Sequence, residues 1–175
     1  LLSAGVCTTI GLLLASGGLA ILLVGTNLPT ALLGLAALIW YLAVYTPLKQ
    51  VTSFAVLAGT PCGVLPPLMG WLAVGGDLTA PQPLALALLM LLWQVPHYWL
   101  LALPDRAELT SAGFKVLPQG LTDRQLLITS HQWILAVAAT TTLLPLLDLV
   151  QHPVLHVLLY SLAATLALSA SWLTK

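Results

Sequence analysis

Apolar residues run through this chain in long unbroken stretches, and polar residues gather in a few short breaks between them. A helix that crosses a bilayer needs roughly 20 consecutive, mostly apolar residues. Six stretches meet that need, at about 2–24, 28–45, 51–74, 83–103, 125–147 and 153–172. None shows the strand-like alternation of a membrane β-barrel, so a closed barrel is excluded. The pattern predicts an all-α integral membrane protein of about six transmembrane helices, a single helical domain over residues 1–175.

Composition agrees and removes some partners. Hydrophobic residues make up 59% of the chain and charged residues 6%, where a soluble domain carries about 25% charged residues. The formal net charge is zero, so nucleic acid is not expected as a partner. Cys7 and Cys62 lie in apolar stretches and read as small, buried, reduced side chains. The chain opens on Leu1 with no basic segment ahead of the first apolar run. That run is therefore not a signal peptide, and a missing upstream portion is expected.

The charges set an orientation. With the N-terminus in the cytoplasm, the cytoplasmic parts are 46–50, 104–124 and the C-terminus. Lys49, Arg106, Lys115, Arg124 and Lys175 then all fall on that side, while Asp77 and Asp148 face the other way with no Lys or Arg. This is the positive-inside asymmetry. It predicts both ends cytoplasmic, in a protein expected in the bacterial inner membrane.

Two segments break the apolar monotony. In the third stretch, AGTPCGVLPPLMG, Gly59 and Gly63 form a GxxxG that lets another helix approach closely. Pro61, Pro66 and Pro67 remove backbone donors. Either this is a kinked packing helix, or it breaks where it lines a cavity, the one place where freed backbone groups are tolerated in a membrane. The connection 104–124 holds six of the ten charged residues.

Three constellations can carry chemistry. Tyr45 and Lys49 are four apart and share a face if helical; the plain alternative is an anchor pair at the headgroups. Asp105 and Glu108 follow Pro104, a natural first-turn residue, and share a face in a helix starting there. Such a pair can hold Mg²⁺, which takes oxygen ligands and often bridges to phosphate, or it can simply suit a helix N-terminus. Arg106 and Lys115 can meet phosphate oxygens. The stretch WQVPHYW places Trp93, Gln94, His97 and Trp99 at the end of the fourth helix. Polar groups inside a membrane are costly and usually face the bundle interior. His97 can ligate a heme iron, bond a propionate or carbonyl, or pair with Gln94.

Taken in order, YTPLKQVTSFAVLAGTPCGVLPPLMGWLAVGG, WQVPHYWLLAL and ELTSAGFKVLP resemble the heme O synthase branch of the UbiA superfamily of intramembrane prenyltransferases, over roughly residues 41 to 118. The resemblance implies a helical bundle with a central cavity. It implies that Tyr45 and Lys49 contact a prenyl diphosphate, that Asp105 and Glu108 stand where an acidic motif holds Mg²⁺, and that WQVPHYW lines the heme or prenyl pocket. It implies transfer of a farnesyl group from farnesyl diphosphate to a vinyl of heme b, giving heme O for terminal oxidases, with catalysis by Lys49, Tyr45 and Glu108.

The sequence also departs from the family. The first aspartate-rich motif and the N-terminal helices of the superfamily bundle are absent from these residues. Glu108 replaces an aspartate, Asp105 stands where an arginine is expected, Leu109 replaces an aromatic, and Phe114 and Lys115 replace small or proline residues. Three readings stand. One is part of a heme O synthase. Another is a non-catalytic subunit of the same fold, held by respiratory oxidase subunits. The third is a prenyltransferase acting on a quinone precursor, against which WQVPH argues.

Overall fold

The computed structural model describes residues 3–113, 115, 117–118 and 120–172; Phe114 and Lys175 lie outside the described residues. Helix α1 spans Ala4–Gly25 and starts where Ser3 Oγ accepts the Val6 N–H. Helix α2 spans Leu28–Ile39. It widens into a π-helical segment, Trp40–Tyr45, and continues as α3, Thr46–Val51. Pro47 has no N–H to offer Ala43, and just before it the Thr46 N–H reaches back five residues to Tyr41. The second predicted stretch thus runs on past 45, and Lys49 belongs to the same continuous rod as Tyr45.

Helix α4 spans Ala55–Ala73 and stays helical through all three prolines. The carbonyl of Leu57 loses its usual donor at Pro61, and Thr60 Oγ1 replaces it at 2.8 Å. Both readings of this segment contribute, because the helix is unbroken yet lines a cavity with Gly59, Cys62 and Gly63. Helix α5 spans Pro81–Ala102, α6 Arg106–Ser111, α7 Asp123–Thr141, α8 Leu143–Leu146 and α9 Pro153–Trp172. A capping box starts α7, with Thr122 and Gln125 each accepting the other's backbone N–H. Pro104 is not in the first turn of α6, as the sequence suggested; it precedes Asp105, the N-cap residue.

Five rods are long and apolar enough to cross a bilayer: Ala4–Gly25, Leu28–Val51, Ala55–Ala73, Pro81–Ala102 and Asp123–Leu146. Helix α9 adds a shorter apolar stretch, Pro153–Ser169, among the described residues. These are the six predicted elements. The main contacts follow chain order: α1 on α2, α2 on α4, α4 on α5, α5 on α7 and α7 on α9. Up-and-down alternation puts 46–54 and 103–122 at one end of the bundle. The turns at 26–27, 74–80 and 147–152 lie at the other.

Specific contacts fix both ends. At the second, Asn27 caps α2 and its Nδ2 donates to the Leu72 carbonyl, 2.6 Å away. There Thr79 donates to the Asp77 carboxylate through its N–H and hydroxyl, which lowers the acid's pKa. At the first, Val56, Val95, Trp99, Leu117 and Leu126 form a buried cluster. Leu117 brings the 103–122 connection down onto α4, α5 and α7. That connection is therefore a roof on the bundle.

Candidate functional site

Under the roof lies a cavity of about 530 Å³ whose lining includes Tyr45, Lys49, Ser53, Tyr98 and Lys115. Tyr45 and Lys49 share a face, and Lys49 Nζ sits 5.6 Å from the Tyr45 ring centroid, a cation–π distance. Lys115 comes from the roof, and its Nζ donates to the Val51 carbonyl at the end of α3, 3.2 Å away. Neither ammonium has a carboxylate partner: the ion pair recorded among the described residues joins Arg106 to Asp123. Two unpaired cations at a cavity mouth make a local positive field suited to a polyanion.

Tyr45 and Tyr98 also line a second cavity, about 410 Å³, together with Tyr41, Gly63, Gln94 and His97. Trp93 and His97 in turn belong to a third, about 760 Å³, whose other walls are mostly leucines of α5, α8 and α9, with Ile134, Val137 and Thr141 from α7. The three spaces form a series, from cationic mouth through an aromatic chamber to an apolar groove. Small residues make this possible. A Cβ on Gly59 would lie 2.9 Å from Tyr45 Cε2, and one on Gly63 would lie 2.6 Å from Gln94 Cδ. The predicted GxxxG therefore makes room for the Tyr45 ring and the Gln94 amide.

The structure gathers Tyr45, Lys49 and Lys115 around one cavity, and Trp93, Gln94 and His97 around the next. Gln94 does not pair with His97; its Nε2 donates to Thr60 O at 3.2 Å and Met90 O at 3.0 Å. Trp99 lies elsewhere, 3% exposed in the buried cluster, with no hydrogen-bond partner for its Nε1 among the described residues. Arg106 is engaged by the roof, bonded to Asp123 and to the carbonyls of Pro118 and Leu121. Asp105 and Glu108 are exposed on α6 and line none of the three cavities. Sequence reasoning passed over Tyr41 as a site residue. Its signal was its spacing, one turn before Tyr45.

The acids bear on metal binding. Among the described residues no three His, Cys, Asp or Glu side chains come together as a metal site. A resident metal centre therefore does not fit. A Mg²⁺ ion bridged to bound phosphates needs only one or two carboxylates. Asp105 and Glu108 fit that lesser role, since Glu108 lies one turn, about 6 Å along the axis, from the lining residue Ala112.

A cationic mouth that opens inside a membrane bundle onto aromatic and apolar space suits a substrate with a phosphate head and a hydrocarbon tail. The UbiA prenyltransferase family model matches residues 1–175, and the chain belongs to that family. It is similar to the protoheme IX farnesyltransferase of Geobacter sulfurreducens, at 39% identity over 144 residues, 82% of this chain and 53% of that protein. The protein of the same name from Sorangium cellulosum is 44% identical over 108 residues, 62% of this chain and 38% of its own. That of Oleidesulfovibrio alaskensis is 50% identical over 82 residues, 47% of this chain and 29% of its own. The chain thus spans about half the length, or less, of these relatives. No solved structure matches it.

Proposed function

We propose that this chain carries the diphosphate-binding and acceptor-facing part of a heme O synthase, which transfers a farnesyl group from farnesyl diphosphate to a vinyl of heme b. The observation that supports this most is the placement of Lys49 and Lys115, without carboxylate partners among the described residues, around a cavity that shares Tyr45 and Tyr98 with the chamber lined by His97. The relatives named for the same reaction agree with it.

Each residue has a task. Lys49 and Lys115 hold the diphosphate and stabilise the charge that grows on it as the C1–O bond breaks. The Tyr45 ring keeps the Lys49 ammonium over the cavity. The aromatic and leucine walls keep water from the allylic cation until the vinyl π electrons form the new carbon–carbon bond; the cation this leaves on the porphyrin side chain is then captured by one water molecule, which loses a proton to give the hydroxyl of heme O. Asp105 and Glu108 would hold Mg²⁺ arriving with the diphosphate, and the ion would supply further neutralisation of the leaving group. The basic end faces the cytoplasm of a bacterial inner membrane, where positive loops are retained.

The test is to incubate the native full-length protein with heme b and farnesyl diphosphate in detergent and weigh the porphyrin products. Appearance of heme O is expected. A protein that binds both substrates and forms no prenylated heme over repeated preparations overturns the reading.

A further inference from the structure

His97 stands inside the spanning rod Pro81–Ala102, where an ionisable side chain is costly and normally has a partner. Among the described residues it has no hydrogen bond; its recorded contact is a stack on Trp93, ring centroids 4.4 Å apart and planes 14° apart. The nearby Gln94 amide does not bond it; Gln94 Nε2 donates instead to the Thr60 and Met90 carbonyls. The ring is thus oriented but unsatisfied, at the junction of the aromatic chamber and the apolar groove.

We infer that His97 ligates the iron of the porphyrin acceptor, with Trp93 fixing the plane of the imidazole. This rests on heme b being the acceptor. Three other kinds of side chain compete in the same chamber: Tyr41, Tyr45 and Tyr98 phenols, the Gln94 amide and the Cys62 thiol. A phenol or thiol must shed a proton to become a good ligand, and an isolated anion in hydrocarbon is expensive. A neutral imidazole needs neither change. The Trp93 stack supplies an orientation that a ligating histidine more usually takes from a hydrogen bond at its other ring nitrogen. A single axial bond holds the macrocycle by its centre and leaves its rim, which carries the vinyl groups, free to approach the diphosphate cavity.

The experiment titrates the native full-length protein with ferric heme and with metal-free protoporphyrin IX, following the Soret band. The variant is His97→Phe, which keeps an aromatic ring on Trp93 and removes both nitrogens. Ferric heme should bind at least tenfold more weakly, since losing even an outer-shell partner costs roughly 10–100-fold in metal affinity. Its spectrum should change, protoporphyrin IX should bind as before, and added imidazole should restore the wild-type ferric band. An unchanged heme spectrum and affinity overturns the inference. So does equal weakening of both porphyrins in His97→Phe and in His97→Ala, which would mean that His97 only shapes the cavity. A wild-type protein that binds neither porphyrin overturns the acceptor assignment itself, a result distinct from either of these.

Discussion

The Lys49 ammonium lies over the Tyr45 ring, 5.6 Å from its centroid, and both side chains line the cavity under the roof. The ring and the i, i+4 spacing aim the charge inward at little cost in ordering. Lys49→Ala should lower kcat/KM for farnesyl diphosphate by about 10²–10³-fold, the usual loss for one group that stabilises developing negative charge. Circular dichroism of the variant should match the wild type. Normal turnover would remove Lys49 from the site.

Glu108 has a different expected signature. If it helps to hold an ion that arrives with the diphosphate, Glu108→Gln should raise the Mg²⁺ concentration needed for half-maximal transfer. Saturating Mg²⁺ should recover much of the rate. Lys49→Ala should lower the rate at every Mg²⁺ concentration. A Glu108→Gln protein with the wild-type Mg²⁺ curve would return this acid to the surface of α6.

Arg106 tests the roof. Its pairing with Asp123 involves a carboxylate side chain that is 66% exposed, and exposed ion pairs contribute about 0–1 kcal/mol. Its bonds to the Pro118 and Leu121 carbonyls are charge-assisted, a type that contributes about 1.5–3 kcal/mol. Arg106→Ala should therefore loosen the 103–122 connection, and Asp123→Asn should do so far less. Limited proteolysis in mild detergent reads this directly. Equal cutting of the two variants would show that the ion pair, not the carbonyl bonds, holds the roof.

Gly63 and Gly70 make a matched pair on α4. A Cβ on Gly63 would press into the Gln94 amide, whereas one on Gly70 meets nothing within 4 Å. Gly63→Ala should cost about 1–3 kcal/mol as an overpacked contact. Gly70→Ala should be neutral, or stabilising by up to about 1 kcal/mol, because alanine is the better helix former. The melting temperatures in one detergent should separate accordingly. Equal values would mean that Gln94 swings away freely.

The helices were legible because long apolar runs permit little else in a bilayer. Tyr45 with Lys49 was legible too, since helical periodicity alone puts them on one face. Three-dimensional partition was not. Nothing in WQVPHYW says that Trp99 turns into the buried cluster while Trp93 and His97 turn into cavities, because all three lie within two turns and the choice depends on what α7 presents. Arg106 read as a phosphate ligand by residue type. Its engagement with Asp123, Pro118 and Leu121 depends on how the connection folds back, which no local pattern encodes.

The chain-order contacts of the six rods bear on how the molecule is made. Each rod after the first packs on the one synthesised just before it. Low sequence separation between partners favours fast formation, and a ribosome delivers the earlier partner first. Insertion can thus proceed as a succession of hairpins, none waiting for a distant segment. The connection that roofs the bundle emerges only after α5, and α7, whose Leu126 packs with Leu117 of that connection, follows before α9 is made.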